Sequence, residues 1–221
     1  MQPSPKKRLL EKFALVAKAM AHPNRLELLE ALAQGKRSVE ALARASGMSV
    51  ANTSHHLQIL RDGGLAHSYK DGLQVIYSLT DDSIPGLLAG IRGVAERHLA
   101  EVERIVRENF ESKDDLTPVR RDELLERVRA GETMVIDVRP PSEYQEGHIE
   151  GAINIPLDVL PEHLGQLPHD QEIVAYCRGP YCMLAFDAVS QLRQLGFQAR
   201  RLEDGYPEWK SEQLPVAQDK D

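Results

Sequence analysis

The sequence predicts two domains: a mainly α half closed by a β-hairpin, then an α/β half with a mostly parallel sheet. Three observations carry that expectation. Apolar residues recur at helical spacing as far as residue 61, then give way to two strand-like runs around Lys70-Asp71-Gly72. Beyond residue 119 strand and helix patterns alternate, which argues for a parallel sheet. Charge divides as well. Residues 1–113 hold 16 basic and 13 acidic side chains, and residues 114–221 hold 11 and 21, within a chain of 221 residues and net charge −7. Binding to nucleic acid follows the local patch, so an acidic total does not exclude it.

In the first half, Leu9, Phe13, Ala17 and Met20 share one face of a helix over 9–20. Pro23 starts a second helix, with Leu26, Leu29 and Leu32 apolar. Ser38 suits the cap of a third over 39–45, ended by Gly47, and Ser49 the cap of a fourth over 50–61, ended by Gly63-Gly64. Runs 65–69 and 74–79 flank the Asp-Gly turn of a hairpin. Asp82 or Ser83 then caps a long helix with Pro85 in its first turn and Leu87, Ile91, Val94, His98, Val102 and Ile105 along one side. That order is the order of a winged helix-turn-helix. The apolar surface of its first and last helices exceeds what so small a domain buries, which favours a homodimer.

The domain is expected to span 1–110, followed by a polar linker over 111–118 ending in Thr-Pro. The second domain is expected over 119–215: helix 121–130, strand 134–138, short strand 152–155, strand 173–176, helix 183–195 and strand 198–202. Residues 216–221 read as a polar tail. No apolar run is long enough to span a membrane, and the charged N-terminus lacks the apolar core of a secretory signal, so a cytoplasmic protein is expected. The two cysteines both lie in Cys177-Arg178-Gly179-Pro180-Tyr181-Cys182. This is no disulfide framework and no multi-cysteine metal or arsenic site, and no cofactor is expected.

The segment Ser38–Leu65, with Ala21-His22-Pro23-Asn24-Arg25-Leu26 before it, Ser54-His55-His56-Leu57 within it and Leu60-Arg61-Asp62-Gly63-Gly64-Leu65 at its end, resembles the helix-turn-helix of the ArsR family of bacterial repressors. Leu57 and Leu60 would hold the recognition helix to the core. Ser49, Asn52, Thr53, His55 and His56 remain as candidates for a major groove, with His56 equally readable as a packed helix residue. Asn can bond adenine bidentately, and Arg61 and Lys70 on the wing suit phosphates. The implied partner is a double-stranded DNA operator. Family members often sense metals through the last helix, but only His98-Leu99-Ala100-Glu101 resembles half of such a pair. His98 also falls on the apolar stripe, so an interface role is favoured over metal binding.

Asp137-Val138-Arg139-Pro140-Pro141-Ser142-Glu143-Tyr144 through Gly147-His148-Ile149 to Pro156 is very similar to the hallmark segment of rhodanese domains. The cysteine loop and Asp204-Gly205-Tyr206-Pro207-Glu208-Trp209 extend the resemblance. Asp204 departs from it, standing where many relatives have glycine. The resemblance implies a sulfurtransferase in which Cys177 carries a persulfide, taken from a sulfane donor such as thiosulfate or a persulfide and passed to a thiol or cyanide. Arg178 would add positive charge and select an anionic donor, Gly179 and Pro180 would shape the turn, and Tyr181 would cover the pocket, with Met183 opening the following helix. That helix terminus favours a thiolate and its anionic product.

Related cysteine phosphatases and arsenate reductases place Arg six residues after the cysteine; here that residue is Met183, which favours sulfur over a tetrahedral oxyanion. Cys182 reads either as a small polar substitute or as a thiol that attacks the Cys177 persulfide. Asp137, Arg139, Glu143 and His148 are expected to be scaffold, with Asp137 and Arg139 at a strand end pairing with Glu143 or the backbone. The leading reading is a dimeric DNA-binding repressor whose affinity responds to sulfur at Cys177. Its rivals are a sulfurtransferase with an uncoupled DNA-binding half and a catalytically idle thiol or arsenite sensor.

Overall fold

The computed structural model describes residues 3–110 and 117–218, and its packing divides the chain into two compact units, Met1–Leu88 and Ala89–Asp221. The division falls inside a helix, ahead of the expected linker, most of which (111–116) lies outside the described residues.

The first unit begins with α1 (Pro5–Met20) and α2 (Pro23–Ala33). Ser4 caps α1 by accepting from Lys7 N, and His22 Nδ1 does the same for Asn24 N ahead of α2. A short strand β1 (Arg37–Ser38) leads into α3 (Val39–Ser46), capped by the Ser38 hydroxyl. Gly47, at φ 64°, ends α3 in the left-handed conformation that glycine adopts without penalty. Ser49 then caps α4 (Val50–Asp62). Strands β2 (Ala66–Asp71) and β3 (Gln74–Leu79) form the hairpin, and β1 joins its far edge in the order β1-β3-β2. Leu28, Leu29, Leu42, Leu57 and Leu60 are fully buried at the centre of this unit. This is a winged helix-turn-helix.

The expected single long helix is instead two, α5 (Ile84–His98) and α6 (Ala100–Asn109). Leu99 leaves helical geometry at φ −112°, ψ 100°, and its carbonyl accepts from Val102 N and Glu103 N to start α6. Neither Gly nor Pro stands at the break, so the apolar stripe runs through it unmarked.

The second unit adds α7 (Arg121–Ala130), β4 (Thr133–Asp137), α8 (Pro141–Glu146), β5 (His148–Ile149) and β6 (Ile153–Asn154). Then come α9 (Leu160–His163), β7 (Glu172–Tyr176), α10 (Met183–Gln194), β8 (Ala199–Arg201), α11 (Tyr206–Ser211) and β9 (Val216–Ala217). The main sheet is parallel throughout, in the order β6-β4-β7-β8. Strand alternation sorts the core into two faces. Ile173 and Ala175 of β7 pack toward α10, whereas Val174 and Tyr176 pack toward α7 and α11. Residues 216–217 are not free tail: β9 pairs antiparallel with β5, Ile149 opposite Val216, because the chain after α11 returns along that edge.

Candidate functional site: a recognition helix and a cysteine loop

In the first unit, helix α4 presents two kinds of side chain. Ser49, Asn52 and His55 are exposed, as are Arg61 at the end of the helix and Lys70 on β2. Arg61 is braced by Gln58 Oε1 at 2.6 Å and Ser68 Oγ at 3.3 Å. Thr53 and His56 do not face outward, correcting the sequence expectation. They lie on the inner face with Leu57 and Leu60. Thr53 is fully buried, its hydroxyl donating to Ser49 O at 3.0 Å. The His56 ring lies tilted against that of His22, with centroids 4.6 Å apart, and its Nε2 meets Asn24 Nδ2 at 3.4 Å. Its Nδ1 is buried without a hydrogen-bond partner. Burial, then the charges of His22, Arg25 and His55, hold the His56 pKa below its ordinary value. Ser54 is exposed beside Asn52 and His55 and was not among the expected contacts; the position of Leu57 on the same helix was the signal for it.

His98 and Glu101 sit on either side of the break, on α5 and α6, and both are exposed. Among the described residues no cluster of three His, Cys, Asp or Glu side chains suits a metal ion.

In the second unit, Cys177 continues the β7 alternation toward the α10 face and is 1 % exposed. Cys182 is the residue before α10, whose N-terminus has no side-chain cap. Unsatisfied N–H groups at such a terminus favour a negative charge. The two cysteines are joined as a disulfide across a Cα–Cα distance of 6.2 Å. Cys182 N donates to Gly179 O at 3.1 Å, closing the turn that Gly179 and Pro180 shape. Tyr181 is partly buried, with its ring 4.8 Å from that of Phe110, and Met183 opens α10.

Arg178 differs from expectation. Its guanidinium is paired bidentately with Glu143, Nη2 to Oε1 at 2.7 Å and Nε to Oε2 at 2.8 Å, so its charge is answered within the chain. Glu143 is 3 % exposed and therefore anchors the outer part of the loop to α8. Sequence reasoning gave Glu143 a scaffold role without its partner; an acidic residue on a short helix thirty-five positions upstream gives no local signal.

The other three conserve the loop's surroundings. Asp137 and Arg139 are both fully buried and paired, Arg139 Nη2 to Asp137 Oδ2 at 2.6 Å, and Arg139 also reaches Gly147 O at 2.8 Å. His148 stacks on Tyr144 with centroids 3.7 Å apart and bonds Tyr144 O at 3.0 Å. The Tyr176 hydroxyl accepts from Ile149 N at 3.1 Å. Burial first, and then the Asp137 charge, push its pKa well above the ordinary phenol value. On the far side, Tyr206 N donates to Cys177 O at 3.1 Å, and Gly205 lies directly against the Arg178–Gly179 backbone.

Two family profiles match the chain, one in each half. The profile of the bacterial regulatory protein, arsR family, matches residues 22–68, and that of the rhodanese-like domain matches residues 120–212. The HTH-type transcriptional regulator Rv0324 of Mycobacterium tuberculosis is 45 % identical over 94 % of this chain and 91 % of its own. A sulfurtransferase of Allochromatium vinosum is 28 % identical over 38 % of this chain and 78 % of its own. Among solved structures, the homodimeric winged helix-turn-helix DNA-binding domain Mb0332 (fragment 1–100) of Mycobacterium bovis is 39 % identical. It covers 45 % of this chain and 92 % of that one, with a TM-score of 0.41. No helix among the described residues is long and apolar enough to cross a membrane.

Proposed function

Because this chain belongs to the ArsR family of bacterial transcriptional regulators and carries a rhodanese-like domain, we propose that it binds operator DNA as a homodimer whose affinity is set by the sulfur state of Cys177. The observation that carries the reading is the cysteine pair. The chain has two thiols; both lie in one loop ahead of a helix N-terminus, and the helix-turn-helix has none. A sulfur signal therefore enters through Cys177 and Cys182.

The chemistry follows from the reduced loop. The Cys177 thiolate attacks the outer sulfur of thiosulfate; an S–S bond forms at Cys177, the bond to the sulfite sulfur breaks, and sulfite leaves with its electron pair. The α10 terminus favours both the thiolate and the resulting Cys177–S–S⁻. Cyanide or a small thiol then removes the outer sulfur. Alternatively, the Cys182 thiol attacks the inner sulfur, gives the Cys177–Cys182 disulfide and releases HS⁻ carrying its proton. The disulfide in this structure supports that second route, since the two sulfurs lie within covalent reach. It also favours the rival reading as a thiol-oxidation sensor, which predicts a response to oxidant and no sulfur turnover.

Ser49, Asn52 and His55 on α4 are the proposed base-edge and groove contacts, and Arg61 and Lys70 the proposed phosphate contacts. Leu9, Leu10 and Phe13 of α1, each more than half exposed and on one side of the helix, are the proposed dimer face, since apolar patches of this kind mark interaction surfaces. One experiment tests the whole reading. Operator affinity is measured for the wild type and Cys177→Ser, with and without thiosulfate, beside a thiosulfate:cyanide transfer assay. The reading expects about a 5- to 150-fold sulfur-dependent change in the wild type and none in the variant. Equal affinities in the wild type would reject the coupling.

A further inference from the structure

The residues after Leu88 in α5 are held at the cysteine loop by a connected set of charges. Arg92 Nη1 and Nη2 each lie 3.2 Å from Glu208 Oε1, and Nη2 lies 3.9 Å from Asp204 Oδ1. The other Glu208 oxygen accepts from Gly205 N at 3.2 Å, fixing the start of α11. Gly205 has no room for a side chain: a Cβ there would come within 2.3 Å of Gly179 N and 2.5 Å of the Arg178 carbonyl carbon. One residue on, Tyr206 N holds Cys177 O. A second line runs from Glu96, one turn beyond Arg92, whose carboxylate accepts the Tyr181 hydroxyl. Both ends of the loop, Cys177 and Tyr181, are thereby tied to one face of one helix.

We propose that α5 is the strut that positions the sulfur-bearing loop, with Arg92 and Glu96 as positioning residues, Glu208 and Asp204 receiving Arg92 and Tyr181 meeting Glu96. Asp204 receives Arg92 at 3.9 Å and also Arg121 at 3.1 Å, so one carboxylate joins α5 to the start of α7. Removing Arg92 disturbs more than removing an ordinary surface partner, because Glu208 is 7 % exposed and its carboxylate is left desolvated. Ile84 and Leu88, in the first half of α5, pack in the core of the first unit. The inference rests on the proposed function only in its regulatory consequence: a change at Cys177 reaches α5 through Gly205 and Tyr181.

Amide hydrogen exchange on the full chain tests it, with wild type, Arg92→Ala, Arg92→Lys and Asp204→Gly compared as disulfides and after reduction. Arg92→Ala is expected to raise exchange in peptides covering 89–98 and 178–182 by about tenfold, with Arg92→Lys retaining most of the protection. Asp204→Gly is expected to act in the same direction and less. Reduction of wild type is expected to alter exchange at 89–98. If Arg92→Ala leaves both segments within about twofold of wild type, the strut is wrong, whatever operator binding does. If those segments respond but operator affinity ignores sulfur, the strut stands and the coupling proposed above falls.

Discussion

The recognition helix holds its candidate groups in solvent, whereas the cysteine loop holds its candidate group inside its own unit. On α4 the candidate groups Asn52 and His55 stand in solvent, while Thr53, His56 and Leu57 fix the helix from within. In the loop the candidate nucleophile is the buried one: Cys177 is enclosed, and the exposed residue, Arg178, is committed to Glu143. A DNA reader meets a partner larger than itself, so its contacts protrude. A cysteine proposed to carry sulfur is better kept from water, and Cys177 is 1 % exposed. Substitutions in the first region are therefore expected to cost binding with little stability, and substitutions around the second to cost activity and fold together.

The largest expected effect breaks the loop alone. Cys177→Ser removes the proposed nucleophile and should lower thiosulfate:cyanide transfer by roughly 10³-fold or more, while sulfur-free operator binding stays at the wild-type level. Asp137→Ala comes next. It strands the fully buried Arg139 charge, and denaturant unfolding of the second unit should show a loss of about 3–5 kcal/mol. In the recognition helix, Asn52→Ala and His55→Ala should each weaken operator affinity by about 1–3 kcal/mol in gel-shift titrations, with thermal stability within about 0.5 kcal/mol. Unchanged DNA binding by the double variant would remove α4 from the interface.

The smallest effect sharpens the contrast by using a group inside the DNA-reading half. His56 has a folded pKa below its reference of 6.5, so the unfolded chain binds its proton first as pH falls. Stability contributed by neutral His56 is then present above pH 6.5 and lost as pH drops below it toward the folded pKa. Unfolding midpoints of the first unit should fall over that window in wild type and remain flatter in His56→Phe. A pH-independent wild type would contradict the burial-driven shift.

The sequence exposed those features that local chemistry writes down. Serines at 38 and 49 mark helix starts because their hydroxyls satisfy free N–H groups, and each is a cap in the structure. The β4 and β7 strands and α10 declared themselves through apolar period and length. What stayed hidden depends on distant partners or on the third dimension. Thr53 and His56 carry polar labels that say nothing of which face of α4 they occupy; their burial follows from sharing a face with Leu57 and Leu60. The break at Leu99 has no breaker residue. The Arg178–Glu143 pair and the Arg92–Glu208 contact join residues 35 and 116 positions apart. The short strands β5 and β9 carry too few residues for a period to be read.

The β5–β9 pair has a practical consequence for dissecting the protein. The family match ends at residue 212, and a fragment cut there would look complete by homology. It would lack Val216 and Ala217, leaving His148 and Ile149 with an open edge beside Tyr176. It would also take away Pro215, whose carbonyl receives the indole N–H of the buried Trp209 at 2.9 Å. A workable excised domain therefore runs through Gln218, whose side-chain amide fastens the clasp by donating to Glu146 O at 2.9 Å.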